Sequence, residues 1–178
     1  MSNSFSQPTA KLTIASVDES GIRVPAQYNP KELEVAQTVP WKKPDAANQT
    51  GTQKGSGASA GDDPIALEFT GAEGRTMTVE LLFDGYEEGG GGRVVNVAGQ
   101  VALLEQLARV RNPKSTDEKL RRPHQCVVSW GGRGLPSFQC VIESLTTKYT
   151  MFSSDGEPLR ATCTVKLKEA HAVEKKAK

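Results

Sequence analysis

Arg75-Thr76-Met77-Thr78-Val79-Glu80-Leu81-Leu82-Phe83-Asp84-Gly85-Tyr86-Glu87-Glu88 begins the stretch, running to Val110, whose reading decides the fold. Met77, Val79, Leu81 and Phe83 alternate with Thr76, Thr78 and Glu80, the period of a half-buried strand. Asp84 to Glu88 cannot continue that pattern, and Gly89 to Gly92 break it outright. Past Arg93 the period changes: Val94, Val97, Val101, Leu104 and Ala108 recur at helical spacing, with Leu103, Leu107 and Val110 widening the stripe. Asn112-Pro113 is expected to stop this helix, because a residue before proline is pushed out of the α region. Gly99 inside it implies a close backbone approach or a late helix start. So broad an apolar face needs a sheet to cover.

Outward from this centre, extended segments dominate. Lys11 to Val17 and Ile22 to Tyr28 flank a turn at Glu19-Ser20-Gly21, and Pro25 marks the second as an edge strand or the site of a bulge. Leu33, Val35, Gln37 and Val39 alternate, as do Ile65, Leu67 and Phe69. Between those two runs, residues 46–63 contain no large apolar side chain and read as a flexible loop. After the helix, residues 114–124 form a charged connection whose Arg121-Arg122 pair is read as solvated. Cys126 to Trp130 is a strand, and a longer one runs from Phe138 to about Phe152. Beyond the Asp155-Gly156 turn, Leu159, Ala161, Cys163, Val165 and Leu167 face inward, while Arg160, Thr162, Thr164, Lys166 and Lys168 face out. The expected organisation is a flexible N-terminus over 1–10, one β domain over 11–169 and a charged tail over 170–178. Strands with one covering helix define a mainly antiparallel β fold.

Composition narrows the function classes. Lysine plus arginine (22) nearly balance aspartate plus glutamate (21), so no global field draws the chain to nucleic acid or a membrane surface. The first residues have neither a basic nor an apolar signal region, and no stretch approaches transmembrane length, so synthesis in the cytoplasm is expected. Cys126, Cys140 and Cys163 fall in apolar strand patterns and read as core thiols. His124 and His171 have no ligand partner at metal spacing. Asp84, Glu87 and Glu88 would repel a phosphate from the glycine run, and they lack the alternation of a calcium loop. No catalytic motif, cofactor or metal is therefore expected, and the chain reads as a binding or assembly module rather than an enzyme.

Longer motifs point further. Gln27-Tyr28-Asn29-Pro30-Lys31-Glu32 is followed by Trp41-Lys42, then Leu67-Glu68-Phe69-Thr70-Gly71 and the Arg75 to Gly89 stretch. Val127 to Gly131, Val141-Ile142-Glu143-Ser144 and Tyr149-Thr150-Met151-Phe152 lead through Asp155-Gly156-Glu157-Pro158 to Val165-Lys166-Leu167-Lys168-Glu169. In order and spacing, residues 10–169 resemble the tube-like domain of contractile injection systems, which are phage-tail-like particles. The most similar family contains the adaptor between inner tube and spike. The resemblance implies an inner-tube fold, a β-sandwich or barrel with one flanking α-helix, assembled into a six-membered ring. It implies as partners the chain itself, the inner-tube protein, the spike protein and other baseplate subunits, within a particle assembled after cytoplasmic synthesis. Many members carry a peptidoglycan-binding LysM domain after the tube-like part; here the sequence stops at Lys178, so that activity is not expected. A main inner-tube subunit is the alternative position, and a stand-alone β-sandwich binding domain the rival class. Partner contacts are expected in the loops over 46–63 and 84–92, with Asp84, Tyr86, Glu87 and Glu88 as the interface residues.

Overall fold

The computed structural model describes residues 10–43, 67–86, 95–117, 120–131 and 135–170. Its elements in chain order are β1 (Leu12–Ser16), β2 (Arg23–Pro25), β3 (Leu33–Ala36), β4 (Trp41–Lys42), β5 (Glu68–Phe69), β6 (Thr76–Asp84), α1 (Val97–Ala108), β7 (Cys126–Trp130), β8 (Leu135–Phe152) and β9 (Pro158–Glu169). They fall into two compact units, Met1–Ala36 with Arg75–Lys178, and Gln37–Gly74. The flexible loop expected over 46–63, the glycine run and Ile65 lie outside the described residues.

In the larger unit, seven strands form one sheet in the order β2-β1-β7-β8-β9-β6-β3, and every pairing is antiparallel. Period-2 alternation puts one apolar row per strand on a single face. Met77, Val79, Leu81 and Phe83 of β6 lie in register with Leu167, Val165, Cys163 and Ala161 of β9, and all eight are buried. Leu12 and Ile14 of β1, Cys126 and Val128 of β7, and Phe138, Cys140 and Ile142 of β8 extend that face. Val97, Val101, Leu104 and Leu107 of α1 cover it, so sheet and helix share one core. The mainly β architecture with one flanking helix is thus the expected one. The sheet does not close into a barrel: β2 and β3 stand at its two ends and do not pair with each other.

The sheet nevertheless curls, since α1 touches β8, β9 and β6 as well as the end strand β2. β8 is the corner. Up to Cys140 it pairs with β7, and from Cys140 onward with β9, with irregular register beyond Ile142 and again around Met151. Such bulges bend a strand and increase its twist. The curl is held by a side chain. Just after β2, Gln27 donates from Nε2 to the Asp84 carbonyl (2.8 Å) and accepts the Asp84 N–H at Oε1 (2.7 Å), so its amide pairs with β6 as a peptide group of another strand would.

The helix differs from its expected bounds at both ends. It begins at Val97 because Asn96 caps it, accepting the Gly99 N–H at 2.9 Å. A Cβ on Gly99 would stand 3.1 Å from that capping amide, which accounts for the glycine by a late start. The helix ends at Ala108, four residues before Asn112, because Arg109 is already extended and folds its N–H back onto Glu105 and Gln106. Val110 therefore lies outside the helix instead of widening its stripe.

The smaller unit is described by a two-stranded ladder, β4 with β5, in which Trp41 lies opposite Phe69 and Lys42 opposite Glu68. The two aromatic rings are 5.5 Å apart and tilted by 57°. Gly71, with φ of +125°, adopts a backbone conformation that side chains disfavour, next to Thr70, which bonds the Pro40 carbonyl.

Two substitutions measure this core. Leu104→Ala removes a fully buried side chain between helix and sheet, and should lower unfolding free energy by about 2–5 kcal/mol in urea titration. Gln27→Ala strips two partners from the nearly buried Asp84 backbone and should cost about 1–3 kcal/mol. A urea midpoint unchanged by the second substitution would deny the amide its closing role.

Candidate functional site

Asp84 and Tyr86 occupy the end of β6, where the chain leaves the sheet for the helix. The two residues have opposite environments. Asp84 is only 3% exposed, whereas Tyr86 is 73% exposed. The Asp84 carboxylate accepts the Tyr86 N–H (2.9 Å) and is gripped by the Arg160 guanidinium through Nε (2.9 Å) and Nη2. Gly85 donates to the Leu159 carbonyl at 2.8 Å, and a Cβ there would meet the Val95 carbonyl at the same distance. Asp84 therefore anchors the loop, and the side chain it presents to solvent is Tyr86. Glu87 and Glu88 lie outside the described residues. Sequence reading missed Arg160 as the partner; in register it stands directly opposite Asp84 on β9.

A second cluster joins the β1–β2 turn to the entrance of β7. His124 Nδ1 is 2.9 Å from Ser16 Oγ, which also accepts the Glu19 N–H at 2.9 Å. Asp18 accepts two bonds from Arg122 (2.8 and 2.9 Å) and one from the Gln125 N–H (2.8 Å), with Arg111 at 3.5 Å. Arg122 is therefore an ion-pair residue and not the solvated side chain expected from its loop. Burial pushes the Asp18 carboxyl up, but Arg122, the Gln125 N–H and Arg111 together outweigh it and hold the group below its ordinary value. Burial depresses His124, with Glu19 and Asp18 pulling it back up and Arg111 and Arg122 pushing it further down.

A serine beside a histidine is the first half of a nucleophile–base pair. Here the histidine is 2% exposed, and the carboxylate that would orient it in a triad is engaged by Arg122 and Gln125 instead. The arrangement fastens a turn to a strand. The three cysteines are buried as expected, and burial raises Cys126 and Cys140 to about 12, which keeps both as thiols at neutral pH. Among the described residues no group of three or more His, Cys, Asp or Glu is placed to hold a metal.

The surfaces remain. Opposite its buried face, the sheet presents Thr76, Thr78, Glu80 and Leu82 on β6, in register with Lys168, Lys166, Thr164 and Thr162 on β9. β8 continues the same rows with Ser144, Thr146 and Lys148. Lys166 is bridged to Glu143 at 2.9 Å. This face is threonine- and lysine-rich, with Leu82 as its large apolar member on β6. The end strands are short, three residues in β2, which includes Pro25, and four in β3.

A β unit with one buried face, one broad polar face and an edge strand at each end offers the kinds of surface through which β domains contact other chains: sheet edges, faces and loops. The profile of a family described as contractile injection system tube protein matches residues 9–178, and the chain belongs to that family. Membership makes it a component of a phage-tail-like particle that assembles with copies of itself and with other parts of the system. No curated protein matches the chain in sequence. Among the described residues no helix is long and apolar enough to cross a membrane.

The His124–Asp18 cluster sets a direction for acid lability. A histidine held below its ordinary 6.5 favours the fold while neutral, so stability should begin to fall as pH drops below that value and continue through the lower folded pKa. Asp18, held below its ordinary 3.8, adds a second loss beneath that value. Urea midpoints between about pH 8 and 5 should therefore decline in the wild type and decline less in His124→Gln. Equal slopes in the two proteins would remove His124 from the acid response.

Proposed function

We propose that the chain forms a six-membered ring placed where the inner tube meets the spike in the baseplate. The observation that carries the reading is the broad polar face of β6, β9 and β8, with its threonines and lysines directed away from the core. A hydrophilic sheet face suits the wall of a water-filled channel. Edge strands at the two ends of the sheet suit contacts to neighbours around an axis, because their main-chain groups can pair with another chain and alternating side chains set the register. A head-to-tail contact repeated in this way closes into a ring when the rotation per subunit permits.

The assembling domain in this reading covers residues 11–169, with 170–178 as a charged tail. One face of the ring stacks on the inner-tube protein. The other meets a spike of lower rotational symmetry and other baseplate subunits, where loops accommodate mismatch better than strands do. Tyr86, anchored through Asp84, is the described residue of the 84–92 loop best presented for such a contact. Glu87, Glu88 and the loop over 46–63 complete the proposed contact set. The role is structural, with no cofactor and no catalysed step.

The second position, main inner-tube subunit, is favoured by the family description itself and by a match over residues 9–178. Copy number separates the two. Quantitative mass spectrometry of purified particles should give one ring of this chain per particle if it is the adaptor, and many rings if it builds the tube. Deleting the gene and imaging the particles should abolish complete, baseplate-bearing assemblies. Normal particles in the deletion strain would eliminate both positions.

A further inference from the structure

The described residues contain an exposed apolar element in the smaller unit and, in the larger unit, a groove of matching chemistry. The exposed element is the β4–β5 ladder, where Trp41 is 57% and Phe69 is 52% exposed, with Val39 and Leu67 also exposed. Its strands are two residues long, far short of what a two-stranded ladder needs to persist in water. Large exposed apolar side chains gathered on such an element mark a surface that another surface covers. Lys42 and Lys43 follow Trp41 directly; Glu68 stands opposite Lys42 in the ladder, so Lys43 carries the arm's excess positive charge at that end.

The groove has a volume of about 510 Å³. Residues 28–32 wall it, and Glu80 and Leu82 of β6 lie within it. Its apolar part is Tyr28 and Leu82, each 37% exposed, and its charged lip is Glu32 and Glu80 with the single lysine Lys31. The groove also occupies a break in sheet pairing. The β3 ladder stops at Leu33 opposite Val79, and Gln27 takes up the main chain of Asp84. Main-chain groups point to alternate sides along a strand, so Leu82 directs its N–H and C=O to the same side as Asp84, between those two partners.

We infer that the Trp41-Lys42-Lys43 arm of one copy docks in the Tyr28–Glu32/Leu82 groove of a second copy. The occupant is a second copy because this family assembles with itself and because the charges are complementary: Lys43 extends from an arm on which Lys42 already stands opposite Glu68, and the groove carries Glu32 and Glu80 against the single Lys31. Aromatic side chains give up large contact area at low entropy cost, and Leu82 and Tyr28 provide the apolar surface to receive them. Arm and groove are different surfaces, so the contact is heterologous and every docked copy still offers one arm and one groove. The inference rests on the self-assembling reading above and names a surface that carries it.

Complementation tests it with full-length chains. Wild type should associate with rising concentration in sedimentation velocity. Trp41→Ala (arm defective) and Leu82→Lys (groove defective) should each weaken self-association at least tenfold. An equimolar mixture of the two should form a dimer and stop there, because the one remaining arm and groove are both defective. As an independent check, Lys43→Glu alone and Glu80→Lys alone should each weaken assembly, and the two combined in one chain should restore it. Single variants that associate like wild type would overturn the surface and leave ring assembly standing. A mixture that stays monomeric, or a doubly reversed chain no better than its parents, would overturn it as well. A wild type that remains monomeric up to millimolar concentration would overturn both the docking and the self-assembly beneath it.

Discussion

One amide closes the curl of the large sheet. Gln27 gives the Asp84 main chain a donor and an acceptor at 2.8 and 2.7 Å, joining the end of β2 to the end of β6. These strands are far apart in sheet order, and the bond between them joins the two ends of a run of strands whose shared face wraps around α1. The same node holds the loop to the helix, since Asp84 also binds Arg160 and the Tyr86 N–H. A buried carboxylate with one partner would be a net cost; several charge-assisted bonds and a guanidinium make it a fastening instead. The sheet is curled because its interior is occupied by a helix, and it is kept so by a side chain acting as a strand.

At the opposite end of β1, a different chemistry does a similar job. Asp18 and its two arginines bind the first turn to the strand entrance, while Ser16 and His124 pair beneath them. The histidine and carboxylate both favour the fold in their neutral-pH states, so the cluster resists unfolding near neutrality and weakens in acid. Polar groups thus lock both ends of an apolar core made of alternating strand residues. The parts directed outward are a threonine- and lysine-rich sheet face, short edges and an aromatic arm, all of which suit contact with other chains.

Periodicity made much of this legible. The alternation in β6 and β9 named every buried residue of their shared face, and the helical spacing named Val97, Val101, Leu104 and Leu107. Pro25 signalled an edge strand or a bulge, of which β2 is the edge, and Asp155-Gly156 identified a turn, where Gly156 has φ of +82°. The family, too, was readable from motif order, as the match over residues 9–178 bears out. Less legible were the helix ends, because Asn96 and Arg109 act through local bonds that periodicity does not weigh. The candidate interface divided: Asp84 went inside and Tyr86 stayed out, although both lie in one acidic loop sequence.

What the sequence by itself determined is therefore everything governed by repeat spacing: strand and helix identity, which face of each is apolar, and the family's ordered motifs. Tertiary structure alone decided how distant polar residues meet. Gln27 and Asp84 are 57 positions apart, Asp84 and Arg160 are 76 apart, and Ser16 and His124 are 108 apart. The physical reason is that apolar burial is non-directional and leaves a periodic trace in the chain. A hydrogen bond or ion pair needs two particular groups within about 3 Å, and that distance exists only after the sheet has curled.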